Sequence, residues 1–334
     1  MGEAITLGEL DQRLVAALQL DGRAPWSRVA RALDASESTV ARRGQLLLDS
    51  GAVAVTGAVD GMRCGTGVPA HVRLRCRPGA AGAVAGALAA VPQARSVAVA
   101  AGDTDVVAEL AVPGHRAAGA ALAGLPRPDD VVHAETLVVV RRFAVAEEWD
   151  PGLLAPDAAA LLRPAGVPGC PRERREPEPL TEQERAVADL LAAAGRATYA
   201  QLAAALGVSE STAARRVDSL VRRGCLRFRT VFPAALLGFG VEFVLWLDVA
   251  PGDLESAGMR LAREPSTRSV GATAGRSNLC VHGVLPGHAD LYPYLTGVLG
   301  ALPGVRAVET TLLAATLKDA GLPVRAGGLV EGPP

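Results

Sequence analysis

The hydrophobic positions in the middle of the chain have the spacing of three short helices. Apolar side chains three and four positions apart indicate a first helix that begins after Thr181, with Glu184 completing a capping box. A second helix is predicted over Tyr199–Leu206, and Ser209 is the predicted N-cap of a third helix that ends at Gly224. A short helix, a tight turn and a capped helix follow each other in this way in a helix-turn-helix motif.

After this unit the pattern changes to short apolar runs that alternate with one-sided helices. The runs VEFVLWLDV, TRSVGATAG, NLCVHGVLP and VRAVETTLLAA are typical of strands, and GDLESAGMRLAREP and ADLYPYLTGVLGAL are typical of helices. Their order is βαββαβ, the ferredoxin-like arrangement in which helices cover one face of an antiparallel sheet. The predicted fold class is therefore α+β.

The same pattern occurs 173 residues upstream, so the chain is a tandem duplication. SESTVARR at Ser36–Arg43 aligns with SESTAARR at Ser209–Arg216 without a gap, and RSVAVAAGDTD aligns with RSVGATAGRSN. A period of this length is that of a domain and excludes a solenoid. The predicted domains are two winged-helix-like helix-turn-helix domains (1–58 and 180–231), two ferredoxin-like effector and dimerisation domains (66–143 and 238–320), a proline-rich linker (144–179) and a tail (321–334).

Composition narrows the class of protein. The chain has 334 residues, of which 49% are hydrophobic and 21% charged, as expected for a globular protein with several domains. It shows neither a secretory signal nor an apolar run of about 20 residues, which predicts a cytoplasmic protein without membrane association. Five scattered cysteines without C-x-x-C spacing argue against a disulfide framework and a zinc site.

Charge favours the second copy as the stronger DNA-binding domain. The net charge of −1 is not that of a typical nucleic-acid binder. Residues 195–230, however, contain seven arginines against two acids, whereas residues 22–57 contain five arginines against three acids. Gly44 stands where the second copy has Val217, which predicts a hole in the first domain and costs about 1 kcal/mol of helix propensity.

The third helix of each copy has a polar face opposite its buried stripe. Hydroxyl and guanidinium groups on such a face can reach base edges and phosphates in a major groove, although a solvated face on a small helical domain has the same pattern. The predicted DNA-binding residues are Ser209, Ser211, Thr212, Arg215, Arg216, Ser219, Arg222 and Arg223 in the second copy, and Ser36, Ser38, Thr39, Arg42 and Arg43 in the first.

This combination resembles the leucine-responsive/asparagine-type (Lrp/AsnC) transcription regulators. The motif A-x-x-L/V-[GD]-x-S-x-S-T-x-x-R-R, a helix-closing glycine and a βαββαβ unit occur here twice. The resemblance implies that the C-terminal domain pairs through its sheet and binds a small effector near the turn between the second and third strands. The effector residues implied are Gly102, Asp103, Thr104 and Asp105, and in altered form Gly275, Arg276, Ser277 and Asn278; an ordinary hairpin turn is the alternative.

The predicted function is sequence-specific binding of double-stranded DNA by a transcriptional regulator that responds to a small effector, such as an amino acid. The protein is not expected to be an enzyme, and no cofactor or metal site is predicted, because no catalytic or ligand-spaced motif is present. The two copies are expected to pair within the chain as a pseudo-dimer, with further homo-oligomerisation left open. Two alternatives remain: a ligand-sensing module without DNA binding, and an enzyme similar to the sirohaem decarboxylases, whose histidine and paired arginines are missing from the strand SVGATAG.

Overall fold

The computed structural model describes residues 7–124, 128–164, 176–325 and 330, which form two compact units. The helical unit contains residues 7–66, 150–164, 176–233 and 330, and the sheet unit contains residues 67–124, 128–149 and 234–325. Each unit therefore takes one part from each sequence repeat. No helix within these ranges is long and apolar enough to cross a membrane.

Both repeats have the predicted order of elements. The first repeat forms α1 (Glu9–Leu20), α2 (Trp26–Leu33), α3 (Glu37–Asp49), β1 (Ala54–Val59), α4 (Gly61–Cys64), β2 (Val68–Cys76), α5 (Ala81–Ala89), β3 (Ala94–Ala101), β4 (Val106–Val112), α6 (His115–Ala123) and β5 (Val131–Ala144). The linker contributes α7 (Pro156–Leu162). The second repeat forms α8 (Glu182–Ala193), α9 (Tyr199–Leu206), α10 (Glu210–Arg222), β6 (Leu226–Val231), β7 (Val241–Val249), α11 (Leu254–Leu261), β8 (Thr267–Ala274), β9 (Leu279–Leu285), α12 (Leu291–Pro293), β10 (Val305–Asp319) and β11 (Leu322–Pro323).

Side-chain caps start the helices at the predicted residues. The Oγ atoms of Ser36 and Ser209 each accept a hydrogen bond of 3.2 Å from the backbone N–H three residues later. Thr181 forms the predicted capping box at the start of α8. The turn before α10 places Gly207 at φ +65°, and in the first copy Asp34 takes this left-handed conformation at φ +51°. Aspartate is one of the few L-residues that adopt it readily.

Trp26 fills the volume where the sequence predicts a hole in the first helical domain. A Cβ atom placed on Gly44 would lie 2.5 Å from Cη2 and 2.6 Å from Cζ3 of the Trp26 indole ring. The second copy has the smaller Tyr199 at the equivalent position, together with the buried Val217. The prediction of an unfilled hole at Gly44 is therefore wrong, because the larger aromatic side chain and the glycine compensate for each other.

Reciprocal contacts join the two helix-turn-helix domains within the helical unit. Strands β1 and β6 pair antiparallel. Arg23 donates a hydrogen bond of 2.7 Å to the carbonyl oxygen of Gly195, and the equivalent Arg196 donates to the carbonyl oxygen of Gly22. The guanidinium of Arg196 also stacks 4.2 Å from the ring centre of Trp26. The two domains are thus one body, fixed through backbone carbonyls that a side-chain substitution cannot remove.

The sheet unit joins its two halves edge to edge. The strand order is β3-β4-β2-β5 in the first half and β8-β9-β7-β10 in the second, which is the ferredoxin-like order in both. Strand β5 pairs with β8, and β10 pairs with β3, both antiparallel. Eight of the described strands therefore close into a ring, and the edge strands of each half are paired by the other.

Each half-sheet has one face covered by helices and one inward face. Side chains alternate along a strand, so the apolar positions that pack on the helices are separated by positions that point inward. The inward faces contain a small apolar cluster made of Val107, Leu137, Val244, Trp246 and Cys280, which come from both halves. Charged side chains occupy neighbouring inward positions, and these build the pocket described below.

We expect Gly44→Val to lower the free energy of unfolding by about 1–3 kcal/mol, because the new side chain overlaps with Trp26. The double variant Gly44→Val/Trp26→Tyr, which reproduces the residues of the second copy, should recover most of this loss. Urea unfolding followed by circular dichroism measures both effects. Gly86→Ala in α5 is the control, since nothing lies within 4 Å of its added Cβ. Unchanged stability of Gly44→Val would show that the volume is free.

Candidate DNA-binding surface and ligand pocket

The reading helices α3 and α10 present part of the predicted polar face to solvent. Ser36 and Ser209 are exposed, but their hydroxyl oxygens already act as helix caps. Within the predicted set, the exposed side chains are Ser38, Arg42, Ser211, Arg215 and Arg222, and the half-buried ones are Thr39, Thr212 and Ser219.

Two further predicted DNA-binding arginines brace the reading helices against the first helix of their domain. The guanidinium of Arg43 donates two hydrogen bonds of 2.6 Å to the carboxylate of Asp11. The equivalent Arg216 donates to the side-chain oxygen of Gln183. A DNA phosphate would have to replace these partners, so both arginines are better described as supports of the reading helices.

Arg223 is held at the end of α10 by two carboxylates. It donates a hydrogen bond of 2.8 Å to Glu178 and another to Glu184, and Arg63 shares Glu178. These hydrogen bonds and charges lower the pKa of Glu178. Arg223 therefore does not add to the free positive charge that the sequence predicts for the second reading surface. Arg196 does not add to it either, because it lies in the contact between the two domains.

A difference between the two reading surfaces nevertheless remains. Arg222 and Ser219 of α10 are replaced in α3 by Asp49 and Leu46, and the Leu46 residue is 57% exposed. A carboxylate repels a phosphate, and a leucine side chain donates no hydrogen bond. The last turns of α10 therefore present a guanidinium and a hydroxyl group where those of α3 present a carboxylate and an exposed leucine.

The predicted effector turns of the two halves meet in one pocket of about 310 Å³. Asp103 and Thr104 line it from the β3–β4 turn, and Arg276 and Ser277 line it from the β8–β9 turn. The described residues that line it include three guanidinium groups and four carboxylates. The pocket is therefore strongly polar and is shared by both halves of the sheet unit.

The two turn glycines allow the halves to approach closely. A Cβ atom on Gly275 would lie 2.0 Å from Cδ2 of Leu137, and one on Gly102 would lie 3.0 Å from the carbonyl oxygen of Thr310. Gly102 also adopts φ +143°, which L-residues rarely do. These glycines are needed for the close contact between the halves, and neither of them lines the pocket.

Asp105 and Asn278 are structural residues. Oδ2 of Asp105 accepts a hydrogen bond of 2.7 Å from the backbone N–H of Cys76, at the end of β2. At the equivalent place in the second half, Oδ1 of Asn278 accepts a hydrogen bond of 2.9 Å from the N–H of Val249. The change from an acid to an amide thus preserves one contact, and neither side chain lines the pocket.

Arg73 forms the centre of the pocket and was not predicted. Its guanidinium bonds to Glu135 of its own half at 2.8 Å and to Glu309 of the other half, and it lies 4.7 Å from the ring centre of Trp246. The residue is 7% exposed, and its Nε has no hydrogen-bond partner among the described residues. The sequence signal that could have identified it is an arginine on the polar side of the strand HVRLRC, together with one glutamate in each of the strands HAETL and VETTL.

A cluster of histidine and arginine side chains also lies on the inward faces. Glu242 accepts a hydrogen bond of 2.9 Å from Arg268 and lies 2.8 Å from Nε2 of His282. Burial raises the pKa of Glu242, but His282 and Arg268 outweigh this effect and lower it to about 2. His71 of the first half lies edge-on to Trp246, and burial lowers its pKa. The strand SVGATAG lacks the histidine and the paired arginines of the sirohaem decarboxylases. In the structure, several strands place histidine and arginine side chains on the inward faces.

The AsnC-type helix-turn-helix domain model matches residues 7–47 and 180–221. These ranges coincide with the first three helices of each repeat. The chain carries two AsnC-type helix-turn-helix domains. The resemblance to Lrp/AsnC regulators is thereby confirmed, and so is its occurrence in duplicate.

Curated relatives match a stretch about as long as one repeat. The chain is 26% identical over 140 residues to an uncharacterised HTH-type transcriptional regulator of Pyrococcus furiosus, which is 42% of this chain and 95% of the relative. It is 29% identical over 107 residues to the HTH-type transcriptional regulator FL11 of Pyrococcus horikoshii, which is 32% of this chain and 71% of that relative. These similarities favour regulation of transcription.

A solved enzyme structure resembles the whole tandem chain. The siroheme decarboxylase NirDL has a TM-score of 0.60 and 17% identity, and the match covers 96% of this chain and 94% of that chain. Its complex with an iron-uroporphyrin III analogue also has a TM-score of 0.60, at 16% identity and 93% coverage of both chains. At this level of sequence identity, the likeness shows that the two chains share a fold and shows nothing about their activity. The categorical prediction that the chain is not an enzyme is nevertheless wrong, because an enzyme has this architecture.

We expect Asp105→Asn to change the free energy of unfolding by less than about 0.5 kcal/mol, because an amide oxygen fills the same role at Asn278. Asp105→Ala leaves the N–H of Cys76 without its partner and should cost about 1–3 kcal/mol. Thermal and urea unfolding of both variants measure these changes. Equal losses from the two substitutions would show that the negative charge is what matters at this position.

Proposed function

We propose that this protein is a sequence-specific DNA-binding transcriptional regulator whose small effector binds in the pocket between the halves of its sheet unit. The observation that carries the proposal is the pair of AsnC-type domains whose capped reading helices keep hydroxyl and guanidinium groups exposed. Ser211, Arg215 and Arg222 can contact base edges and phosphates from α10, and Ser38 and Arg42 can do so from α3.

The fixed arrangement of the two domains supports binding to a composite operator. The contacts of Arg23 and Arg196 join both reading helices in one unit, so their separation does not depend on association of two chains. Reading helices of dimeric regulators address half-sites about 34–36 Å apart, or a multiple of this distance. Because α3 and α10 carry different side chains, the operator should be an imperfect repeat with one strongly specified half.

The pocket favours a small effector that carries both charges, such as an amino acid. Glu135 and Glu309 share the single guanidinium of Arg73, so one negative charge remains to attract an ammonium group. Arg276 lines the same pocket and can pair with a carboxylate. The acidic effector residues implied by the resemblance were Asp103 and Asp105; we assign binding of the ammonium group to Glu135 and Glu309 instead.

We expect Arg222→Asp to weaken binding to a promoter fragment selected from genomic DNA, and Asp49→Arg to strengthen it. The two changes exchange the residues of the two reading helices, and each phosphate contact changes the slope of log K against log salt by about one unit. Fluorescence anisotropy at several salt concentrations measures both parameters.

A comparison of base-facing arginines completes this experiment. Arg215→Ala should cost more affinity than Arg42→Ala, since a lost base contact is worth about 1–3 kcal/mol. Circular dichroism and unfolding curves of each variant provide the control for folding. Equal effects of Arg215→Ala and Arg42→Ala, or no gain from Asp49→Arg, would contradict the dominance of α10.

A second candidate is a tetrapyrrole decarboxylase. It is favoured by the likeness to NirDL over the whole chain and by the inward histidine and arginine groups, His71, Arg73, His282 and Arg268. The surplus of four carboxylates over three guanidinium groups in the pocket opposes it, since this surplus repels a tetrapyrrole rich in carboxylates.

Incubation with sirohaem separates the two functions. For a regulator we expect no loss of carbon dioxide from sirohaem by mass spectrometry, together with a shift of promoter DNA in a gel. If wild type forms decarboxylated sirohaem and the His282→Gln variant does not, the protein is the enzyme. Thr316→Ser on β10 is a conservative control for substitution in this sheet.

A further inference from the structure

The two sides of the pocket carry opposite charges at equivalent positions. Residues that are 173 positions apart correspond in the two halves. Asp103 of the first turn corresponds to Arg276 of the second, and Arg75 of β2 corresponds to Asp248 of β7. All four side chains line the pocket. The backbone is repeated, but the charges are reversed from one side to the other.

The reversed charges differ in their availability. On the first side, Arg75 and Asp103 form an ion pair with each other. On the second side, Arg276 has neither a hydrogen bond nor an ion pair to any other described residue, while Asp248 lies 3.9 Å from Arg306. Arg276 is therefore the guanidinium of the pocket that is free to receive an anionic group, and its counterpart on the other side is an acid.

The base of the pocket is asymmetric as well. Arg73 and Trp246 occupy equivalent positions, and the guanidinium of Arg73 lies over the indole ring. Glu135 and Glu309 come from different halves and converge on this one arginine. The excess negative charge consequently lies at the contact between the halves, and the free positive charge lies on the second half alone.

We infer that the pocket binds one small zwitterion per chain in a single orientation, with its ammonium group at Glu135 and Glu309 and its acid group at Arg276. This inference rests on the proposed effector function. It adds the number of ligands bound per chain and identifies Arg276 as the residue that pairs with the acid group of the ligand. A symmetric pair of identical halves would offer the acid group two equivalent places. Here the second place is occupied by Asp103, which repels it. A volume of about 310 Å³ is at the lower limit of ligand pockets and suits one small molecule.

Isothermal titration calorimetry on the full chain tests this inference. The probes are the twenty proteinogenic L-amino acids, followed by the carboxamide and the N-acetyl derivative of any that binds. We expect a stoichiometry of one per chain and at least a tenfold loss of affinity for both derivatives, since each derivative removes one of the two charges that the pocket pairs. Two molecules per chain, or no binding by any of the twenty, would overturn the inference.

Matched substitutions on the two turns test the orientation. Arg276→Asp, which gives the second turn the acid of the first, should lower affinity at least tenfold, and Arg276→Lys should retain most of it. Asp103→Asn should change affinity less than about threefold. In wild type we expect the carboxamide to bind more weakly than the acid, and this difference should vanish in Arg276→Asp. Equal losses from Arg276→Asp and Asp103→Asn would contradict a single orientation.

A second measurement separates this inference from the regulator function: binding of promoter DNA in the absence of amino acid, by wild type and by the same variants. Arg276→Asp should retain the DNA affinity of wild type, because the substitution lies in the sheet unit. If wild type binds an amino acid but no DNA, the regulator function fails and the ligand site stands. If DNA binds and no amino acid does, the inference fails and the regulator function stands.

Discussion

Pairing of strand edges between the two repeats is the interaction on which the sheet unit depends. Each ferredoxin-like half would leave the backbone groups of its outer strands without partners, and such edges recruit other chains. Here β5 pairs with β8 and β10 with β3, so each half satisfies the edges of the other. A tether between the halves raises their effective concentration toward the millimolar range, which makes this pairing independent of protein concentration.

Once the backbone contacts are secured inside one chain, side chains at equivalent positions can diverge. Some divergence preserves a contact: Asp105 and Asn278 cap the same strand end, and Trp26 with Gly44 fills the volume of Tyr199 with Val217. A homodimer could not make such changes independently on its two sides. The same freedom allows two reading helices with different exposed side chains and a pocket with a positive side and a negative centre.

The sequence was sufficient for those features that depend on neighbours in the chain. The caps Ser209 and Thr181 and the order βαββαβ follow from local patterns, and the structure has them as predicted. Charge counting along the chain was less reliable, because Arg223 is neutralised by glutamates that precede its own helix. A window of residues counts a paired arginine and a free one alike.

Features that depend on contacts between elements distant in the sequence were beyond local patterns. Gly44 suggests a hole only when Trp26, on another helix, is left out of account. Arg73 becomes central only when β2 and β10 supply groups to the same inward space. The inward histidines and arginines likewise come from several strands of both halves, so no single strand shows them.

The inward face can change its chemistry while the fold stays the same. The helix-covered faces are apolar and maintain the fold, whereas the inward positions tolerate charged groups provided that these are paired, as Glu242 is by Arg268 and His282. Substitution there changes the chemistry of the space without disturbing the strand pairing. In this chain Glu135 and Glu309 share the single guanidinium of Arg73, so the electrostatic potential at this centre repels anions and attracts cations.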